Sequence, residues 1–175
     1  MTGAIGEAIV RTASGVDLRL APVVEADHAE LHAAFAAVVA AGEGYPQAPA
    51  EPVTWESFRA YWLDPARLAV AARPLAGGGL VGGYTMKPNG VGRAGHVANA
   101  GYLVVPAWRG RGVGTALVEH SMAAARALGF DALQFNFVFE TNPARRLYER
   151  LGFELIGTVP DVIDGEAVCI YWRRL

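Results

Sequence analysis

The stretch Pro106-Ala-Trp-Arg109-Gly110-Arg111-Gly112-Val113-Gly114-Thr115-Ala116-Leu117 decides the fold of this chain. It follows an apolar segment that ends at Val105 and begins an amphipathic segment that ends near Leu128, the pattern of a strand passing into a helix. Glycines at such a junction let backbone N–H groups converge without a Cβ in the way, and the helix N-terminus adds its positive dipole end. The stretch therefore predicts a phosphate-binding turn, to which Arg109 and Arg111 add charge.

Two other phosphate-binding patterns do not fit this turn. A P-loop needs Gly-x4-Gly-Lys-Ser/Thr, and no lysine follows the glycines here. A dinucleotide-binding fold needs Gly-x-Gly-x-x-Gly early in a βαβ unit, whereas Gly110, Gly112 and Gly114 lie deep in the second half of the chain. Glycine clusters are common at strand–helix junctions, so the glycines alone leave a purely structural turn open.

The apolar periodicity and the breakers predict the order β-α-α-β-β-β-α-β-α-β-β. The predicted strands cover residues 16–23, 67–73, 80–87, 96–105, 133–139, 154–158 and 167–172, and the predicted helices cover 25–41, a short aromatic stretch begun by Thr54, 112–128 and 143–151. Two strand–helix–strand passes in the second half predict parallel central strands. The expected fold is an α/β (mixed α+β) domain with a mixed sheet of about seven strands and helices on both faces.

The composition limits the classes of protein that this chain can belong to. Its 175 residues fit a single domain, 1–175, and a net charge of −2 gives no general attraction to nucleic acid. One cysteine, Cys169, allows neither an internal disulfide nor a thiol-based metal site, so no metal is predicted. No stretch reaches the roughly 20 apolar residues of a membrane span, and the N-terminus does not read as a secretory signal. These features predict a cytoplasmic protein without a membrane partner, and the Ala/Gly/Arg-rich composition suggests a bacterial one.

Two motifs carry a resemblance to a known family. Arg109-x-x-Gly112-x-Gly114 resembles the Arg/Gln-x-x-Gly-x-Gly/Ala signature of the GNAT superfamily of acyl-CoA-dependent N-acetyltransferases. Further along, Asn142-Pro-Ala-Arg-Arg-Leu147-Tyr148-Glu-Arg-Leu151-Gly152-Phe153 resembles the Asn-x-x-Ala-x-x-Leu-Tyr-x-x-x-Gly-Phe motif of the same superfamily. The resemblance implies an N-acetyltransferase that uses acetyl-CoA as acyl donor, with an acetyl-CoA-binding core at about 96–153 and an acceptor-side segment at about 25–66.

The resemblance also implies where acetyl-CoA binds. Its arm would lie in a split between the strands near 101–105 and 133–138, and a backbone N–H of Val104 or Val105 would polarise the thioester carbonyl. Backbone N–H groups of residues 111–114 would take the pyrophosphate. The residues assigned to the cofactor are Val104, Val105, Arg109, Gly110, Arg111, Gly112, Val113, Gly114, Thr115 and Asn142.

Tyr148 and Asn142 take the catalytic positions of the motif. A phenol has a reference pKa of about 10 and a departing thiol one of about 8.5, so full proton transfer to the thiolate costs about 2 kcal/mol. A hydrogen bond from Tyr148 that stabilises the thiolate is therefore the better description, and packing of its helix is the structural alternative. Asn142 and Pro143 also fit the N-cap and the first position of a helix, and capping can coexist with a contact to the cofactor.

The attacking amine must be neutral, so a base or a water chain is required. Many relatives carry a glutamate on the strand before the glycine turn, but the corresponding strand here, 96–105, has no carboxylate. His96, Glu140 and a backbone-held water are the candidates.

A more particular resemblance suggests the acceptor. Lys87-Pro-Asn89, His96-Val-Ala-Asn99-Ala-Gly-Tyr and Gln134-Phe-Asn136-Phe-Val are similar to the subgroup that contains the fungal acetyltransferases of azetidine-2-carboxylate and related proline analogues. That resemblance implies that Asn99 and Asn136 hold the carboxylate of an amino or imino acid, and carboxamide N–H groups are suited to that task. Buried asparagines that satisfy neighbouring backbone are the alternative. Tyr45, in the acceptor-side segment, is a further candidate for acceptor contact.

The chain departs from that subgroup at three places. Gly44 stands where members usually have Thr, Tyr148 where many have Trp, and the segment 157–168 is shorter. Acetylation of a protein N-terminus or lysine, and a non-catalytic acyl-CoA sensor, are the competing functions. The expected partner is a small-molecule amine, and a homodimer fits the resemblance because many relatives are dimers.

Overall fold

The computed structural model describes residues 5–175, so the first four residues of the predicted domain lie outside the described part. One mixed sheet of eight strands runs through it in the order β1-β2-β3-β4-β5-β6-β8-β7. The strands are β1 (Ala8–Arg11), β2 (Asp17–Pro22), β3 (Leu68–Pro74), β4 (Gly82–Pro88), β5 (Val97–Val104), β6 (Ala132–Phe139), β7 (Glu154–Ile163) and β8 (Glu166–Arg174). The predicted α/β domain with a mixed sheet is confirmed, with eight strands instead of about seven. The additional strand is β1, whose four residues are too few for a periodicity to show.

Four α-helices accompany the sheet: α1 (His28–Ala40), α2 (Trp55–Phe58), α3 (Val113–Ala127) and α4 (Arg145–Arg150). The N–H of Ser57 donates to Oγ1 of Thr54 over 3.1 Å, so Thr54 caps α2 as predicted. Gly42 follows α1 with φ +70°, and the Gly42 and Glu43 N–H groups donate to the Val39 and Val38 carbonyls. This is the Schellman arrangement that a glycine after a helix favours.

Helix α4 begins later than the sequence predicts. Oδ1 of Asn142 accepts the Ala144 N–H over 2.9 Å, and the Asn142 carbonyl accepts the Arg145 N–H over 3.1 Å. Asn142 and Pro143 therefore form a tight turn ahead of the helix, and the first α-helical bond is that from Tyr148 to Ala144. The prediction that the helix starts at Pro143 was wrong by two residues. Asn142 nevertheless accepts hydrogen bonds from the N–H groups of Ala144 and Arg145 at the start of the helix.

Helices cover both faces of the sheet, as predicted. Val113 and Leu117 of α3 pack with Tyr84 of β4 in the larger apolar cluster, to which Tyr148 of α4 also belongs. On the opposite face the smaller cluster joins α1 and α2 to β5, with members that include Leu31, Phe35, Phe58, Trp62 and Leu103.

Among the described strands only β5 and β6 pair in parallel. The second strand–helix–strand pass does not add a parallel neighbour, because β8 lies between β6 and β7 and is antiparallel to both. Within residues 5–175 no helix is long and apolar enough to cross a membrane.

Candidate active site

The central feature of the sheet is a cleft between β5 and β6. These strands pair only at Val97–Ala132, Ala98–Leu133 and Asn99–Gln134. Beyond Asn99, β5 stays paired with β4 as far as Val104, while β6 loses its pairing with β5 and stays paired only with β8, as far as Phe139. The two parallel strands therefore separate toward their carboxyl ends, which is where open α/β sheets bind ligands.

The hydrogen bonds of β5 decide which of its backbone groups face this cleft. The Val105 N–H donates to the Val81 carbonyl over 3.0 Å, and the Val97 carbonyl accepts the Asn89 N–H over 2.8 Å. Odd-numbered residues of β5 thus bond to β4, and the alternation directs the N–H and C=O groups of Tyr102 and Val104 toward the cleft. Val105 cannot supply the predicted N–H donor because the sheet already uses its N–H. The remaining candidates are Val104, which was predicted, and Tyr102, which was not.

The glycine-rich turn lies at the open end of the cleft. Gly110 and Gly112 have φ +73° and +79°, and α3 begins directly after Gly112 without a side-chain cap. The first backbone bond of the helix runs from Ala116 to Gly112, so the N–H groups of the three residues before Ala116 have no partner in the helix. These are the free donors that bind anions at helix N-termini. The predicted residues Val113, Gly114 and Thr115 supply them.

The turn between β1 and β2 contacts the glycine-rich turn, and the sequence did not reveal this contact. Oγ of Ser14, in the β1–β2 turn, donates to the Arg111 carbonyl over 2.7 Å. A Cβ on Gly112 would approach Cβ of Thr12 to 3.0 Å, so the two turns touch at a point where only glycine fits. The guanidinium of Arg111 lies 4.9 Å from the centre of the Trp108 ring.

Tyr148 projects from α4 with its ring buried. The ring packs against Phe135 with centroids 4.6 Å apart, and Tyr171 lies 5.8 Å away on the same measure. Burial raises the pKa of Tyr148 above its ordinary value, so the phenol stays protonated. None of the tyrosine hydrogen bonds formed within residues 5–175 involves its hydroxyl, which leaves it free to donate to a ligand.

The lid loop, residues 42–52, is fixed to the cleft at two points. The buried Tyr45 donates its hydroxyl proton to the Tyr102 carbonyl over 2.8 Å, and Glu43 forms an ion pair with Arg109. Gly44 lies between them, and a Cβ there would stand 3.9 Å from Nδ2 of Asn142. The lid loop therefore contacts both the edge of β5 and the glycine-rich turn.

Asn99 and Asn136 are joined through Gln134 near the closed end of the cleft. Nδ2 of Asn99 donates to the Gln134 carbonyl over 3.0 Å, and Nε2 of Gln134 donates to Oδ1 of Asn136 over 2.7 Å. Tyr102 bonds Ser121 of α3 over 2.7 Å, so Asn99, three residues earlier on the strand, lies on the other face, with α1 and α2.

Comparison with known proteins identifies the family. The model of the acetyltransferase (GNAT) family matches residues 29–153. This chain belongs to the GNAT family. The family predicted from the two motifs is therefore confirmed.

The relatives of this GNAT protein include a fungal enzyme. N-acetyltransferase aca1 of Schizosaccharomyces pombe is 41% identical over 83 residues, which are 47% of this chain and 40% of aca1, so the match spans less than half of that relative's length. A GCN5-related N-acetyltransferase from Kribbella flavida has a TM-score of 0.81 and 36% identity, covering 90% of this chain and 98% of that one. The Salmonella typhimurium protein yncA, solved with its cofactor acetyl-CoA, shares the fold at a TM-score of 0.74 and 18% identity, covering 90% and 94%.

The candidate bases of this GNAT protein lie at strand ends. His96 is exposed ahead of β5, with Nδ1 3.0 Å from the Arg93 carbonyl. Glu140 is exposed after the last residue of β6. Neither side chain contacts Tyr102, Tyr148 or Asn99 through a hydrogen bond.

Proposed function

We propose that this chain is an acetyl-CoA-dependent N-acetyltransferase that acetylates the amine of a small amino or imino acid. The observation that carries the proposal is the β5–β6 cleft, whose edge presents unpaired backbone groups and whose open end meets the uncapped N-terminus of α3. Family membership and the acetyl-CoA bound by the Salmonella neighbour support the same function.

The free N–H groups of Val113, Gly114 and Thr115 would bind the pyrophosphate, with positive charge from Arg111. Arg109 would add charge to the same turn, although its guanidinium already pairs with Glu43. From that turn the pantetheine arm would enter the cleft along β5. Val104 lies nearer the turn and would pair with the arm, whereas Tyr102 lies deeper. The Tyr102 N–H is therefore the better candidate for the donor to the thioester carbonyl.

Acetyl-CoA supplies the acetyl group as an activated thioester. A backbone N–H already directed at the carbonyl oxygen stabilises the negative charge that develops there, which is usually the largest single contribution of such a site. Tyr148, kept neutral by burial, would donate a hydrogen bond to the departing sulfur. We assign removal of the amine proton to water, since His96 and Glu140 lie exposed at strand ends.

The proposed acceptor site lies on the α1–α2 face of β5. Asn99 and Asn136 would hold the carboxylate, and the amine would point along β5 toward Tyr102, about 10 Å away at about 3.3 Å per residue. Gly101 lies between them on the same face as Asn99, and a Cβ there would contact only Cγ2 of Thr85, at 3.8 Å. The missing side chain leaves room for a small acceptor beside the cleft.

Thiol release from acetyl-CoA, with mass spectrometry of the product, tests this function against its competitors. We expect turnover with a panel of small amino and imino acids and little with peptides that offer a free N-terminus or lysine. Preferential turnover of peptides would favour protein acetylation. Binding of acetyl-CoA without turnover of any amine would indicate a non-catalytic sensor.

A further inference from the structure

A row of three polar side chains crosses the sheet at the closed end of the cleft. Lys87 of β4 pairs in register with Asn99 of β5, and Asn99 pairs with Gln134 of β6. Directly paired residues project from the same face of a sheet, so the three side chains stand side by side. All three are half-buried.

The hydrogen bonds around this row fix the orientation of both asparagine amides. Asn136 accepts from Nε2 of Gln134 over 2.7 Å and donates through Nδ2 to Oδ1 of Asn89 over 2.5 Å. Asn99 donates through Nδ2 to the Gln134 carbonyl over 3.0 Å. Each amide nitrogen carries two N–H groups, so each asparagine keeps one N–H donor that no residue from 5 to 175 accepts. A carboxylate has two oxygen atoms that accept such donors.

Lys87 brings a positive charge to the same place. It lines an open cavity of about 470 Å³ together with Asn89 and Pro65. Within residues 5–175 Lys87 forms no ion pair, whereas six other cation–carboxylate pairs are present. A half-buried lysine in register with the amide donor of Asn99, and without an ion pair within residues 5–175, favours an anionic ligand.

We propose that Lys87 supplies the charge of the acceptor's carboxylate site, and that Gln134 and Asn89 are positioning residues that keep one N–H of Asn99 and of Asn136 available to it. This inference rests on the proposed function, because it identifies what recognises the carboxylate of the acceptor. It also sets the specificity: an acceptor with a free carboxylate is preferred over its neutral amide.

A matched pair of variants separates orientation from charge. Gln134→Glu replaces the donor with an ionised group that only accepts, so the Asn136 amide must reverse and present oxygen to the acceptor. Asn89→Asp adds the same charge but still accepts the Asn136 N–H. Lys87→Gln removes the positive charge, and Lys87→Arg restores it. Ile9, which is 60% exposed on β1, provides a neutral control as Ile9→Ser.

The readout is the ratio of kcat/KM for an amino acid to kcat/KM for its amide, with the KM for acetyl-CoA measured alongside. Losing a hydrogen bond to a charged group corresponds to a loss of roughly 10–150-fold in kcat/KM. We expect Gln134→Glu and Lys87→Gln to lower the ratio by at least about 10-fold, mainly through the acceptor KM. Asn89→Asp should lower it less than Gln134→Glu, Lys87→Arg should recover part of the loss, and Ile9→Ser should not change it. The KM for acetyl-CoA should stay constant.

A wild-type preference for the free acid that survives both Gln134→Glu and Lys87→Gln would overturn the inference while leaving the proposed function intact. Equal losses of kcat/KM with the acid and with the amide would show that the row is only a structural network. That result would also overturn the inference. Absence of amine acetylation by the wild type would instead refute the proposed function.

Discussion

The hydroxyl of Tyr45 lies 2.8 Å from the carbonyl oxygen of Tyr102 and donates a hydrogen bond to it. The backbone of Tyr102 faces the cleft, and the thioester is proposed to lie beside it. The hydrogen bond from Tyr45 therefore anchors the lid loop next to the proposed position of the thioester. The ring of Tyr45 packs against Phe35 of α1, with centroids 4.7 Å apart. Tyr45 therefore links α1 to the edge of the cleft.

Tyr45→Phe should release this anchor and keep the ring packing. We expect the free energy of unfolding to fall by about 0.5–1.5 kcal/mol, the net value of one hydrogen bond, and the acceptor KM to rise. Urea denaturation and steady-state kinetics measure the two effects. Unchanged stability together with an unchanged acceptor KM would show that the hydroxyl does not hold the lid loop.

Gly114 offers a test of the cofactor cleft that does not disturb the turn. Gly112 is unsuitable, because its φ of +79° and its contact with Thr12 make any side chain there disruptive. A Cβ on Gly114 would make ordinary contacts, 3.6 Å from Leu147 and 3.8 Å from Val104. Gly114→Ala should fold normally, whereas Gly114→Leu should fill the cleft between those residues.

Thermal or chemical denaturation with and without acetyl-CoA measures this effect. At a hundredfold excess over its Kd, acetyl-CoA should stabilise the wild type by about 2.7 kcal/mol, and Gly114→Ala should retain most of that gain. Gly114→Leu should fold but should not be stabilised by acetyl-CoA. Equal stabilisation of all three proteins would mean that acetyl-CoA does not bind beside Gly114.

Tyr148→Phe should affect chemistry more than stability. The ring keeps its packing against Phe135, and none of the tyrosine hydrogen bonds within residues 5–175 involves the Tyr148 hydroxyl. We expect kcat to fall by at most roughly 10²–10⁴-fold, with acetyl-CoA affinity nearly unchanged. Pre-steady-state thiol release measures the chemical step. A rate equal to that of the wild type would remove Tyr148 from the mechanism.

Four tyrosines should make the protein sensitive to alkali. Burial raises the pKa of Tyr45, Tyr84, Tyr102 and Tyr148, while an unfolded tyrosine ionises at about 10. Above that pH the unfolded chain binds fewer protons than the folded one, so the free energy of unfolding falls as pH rises. The stability that these groups contribute is fully present below pH about 10.

Urea denaturation across pH 8 to about 11 tests this dependence. Tyr84→Phe removes one of the four phenols, and its loss of stability with rising pH should be shallower than that of the wild type. An identical slope would show that Tyr84 does not titrate differently in the folded and unfolded states.

The local structure around the candidate site residues could be predicted from the sequence. The glycines of 110–114 and the Asn142–Tyr148 motif could be placed because a turn and a short helix depend on adjacent residues. The sequence could not show which of Val104, Val105 and Tyr102 has a backbone N–H that faces the cleft. That depends on which neighbouring strand each backbone group faces. Likewise the contact of Thr12 and Ser14 with the glycine turn joins segments about a hundred residues apart, and no local pattern reveals it. The insertion of β8 between β6 and β7 was missed for the same reason.

The most direct test of the account compares kcat/KM for a small amino or imino acid with that for its amide, under saturating acetyl-CoA and with mass spectrometry of the N-acetylated product. The account predicts stoichiometric release of thiol and a preference of at least about 10-fold for the free acid, as expected for hydrogen bonds to a charged group. Equal turnover of acid and amide would contradict the carboxylate site at Asn99 and Asn136, and failure of both to react would contradict the proposed function itself.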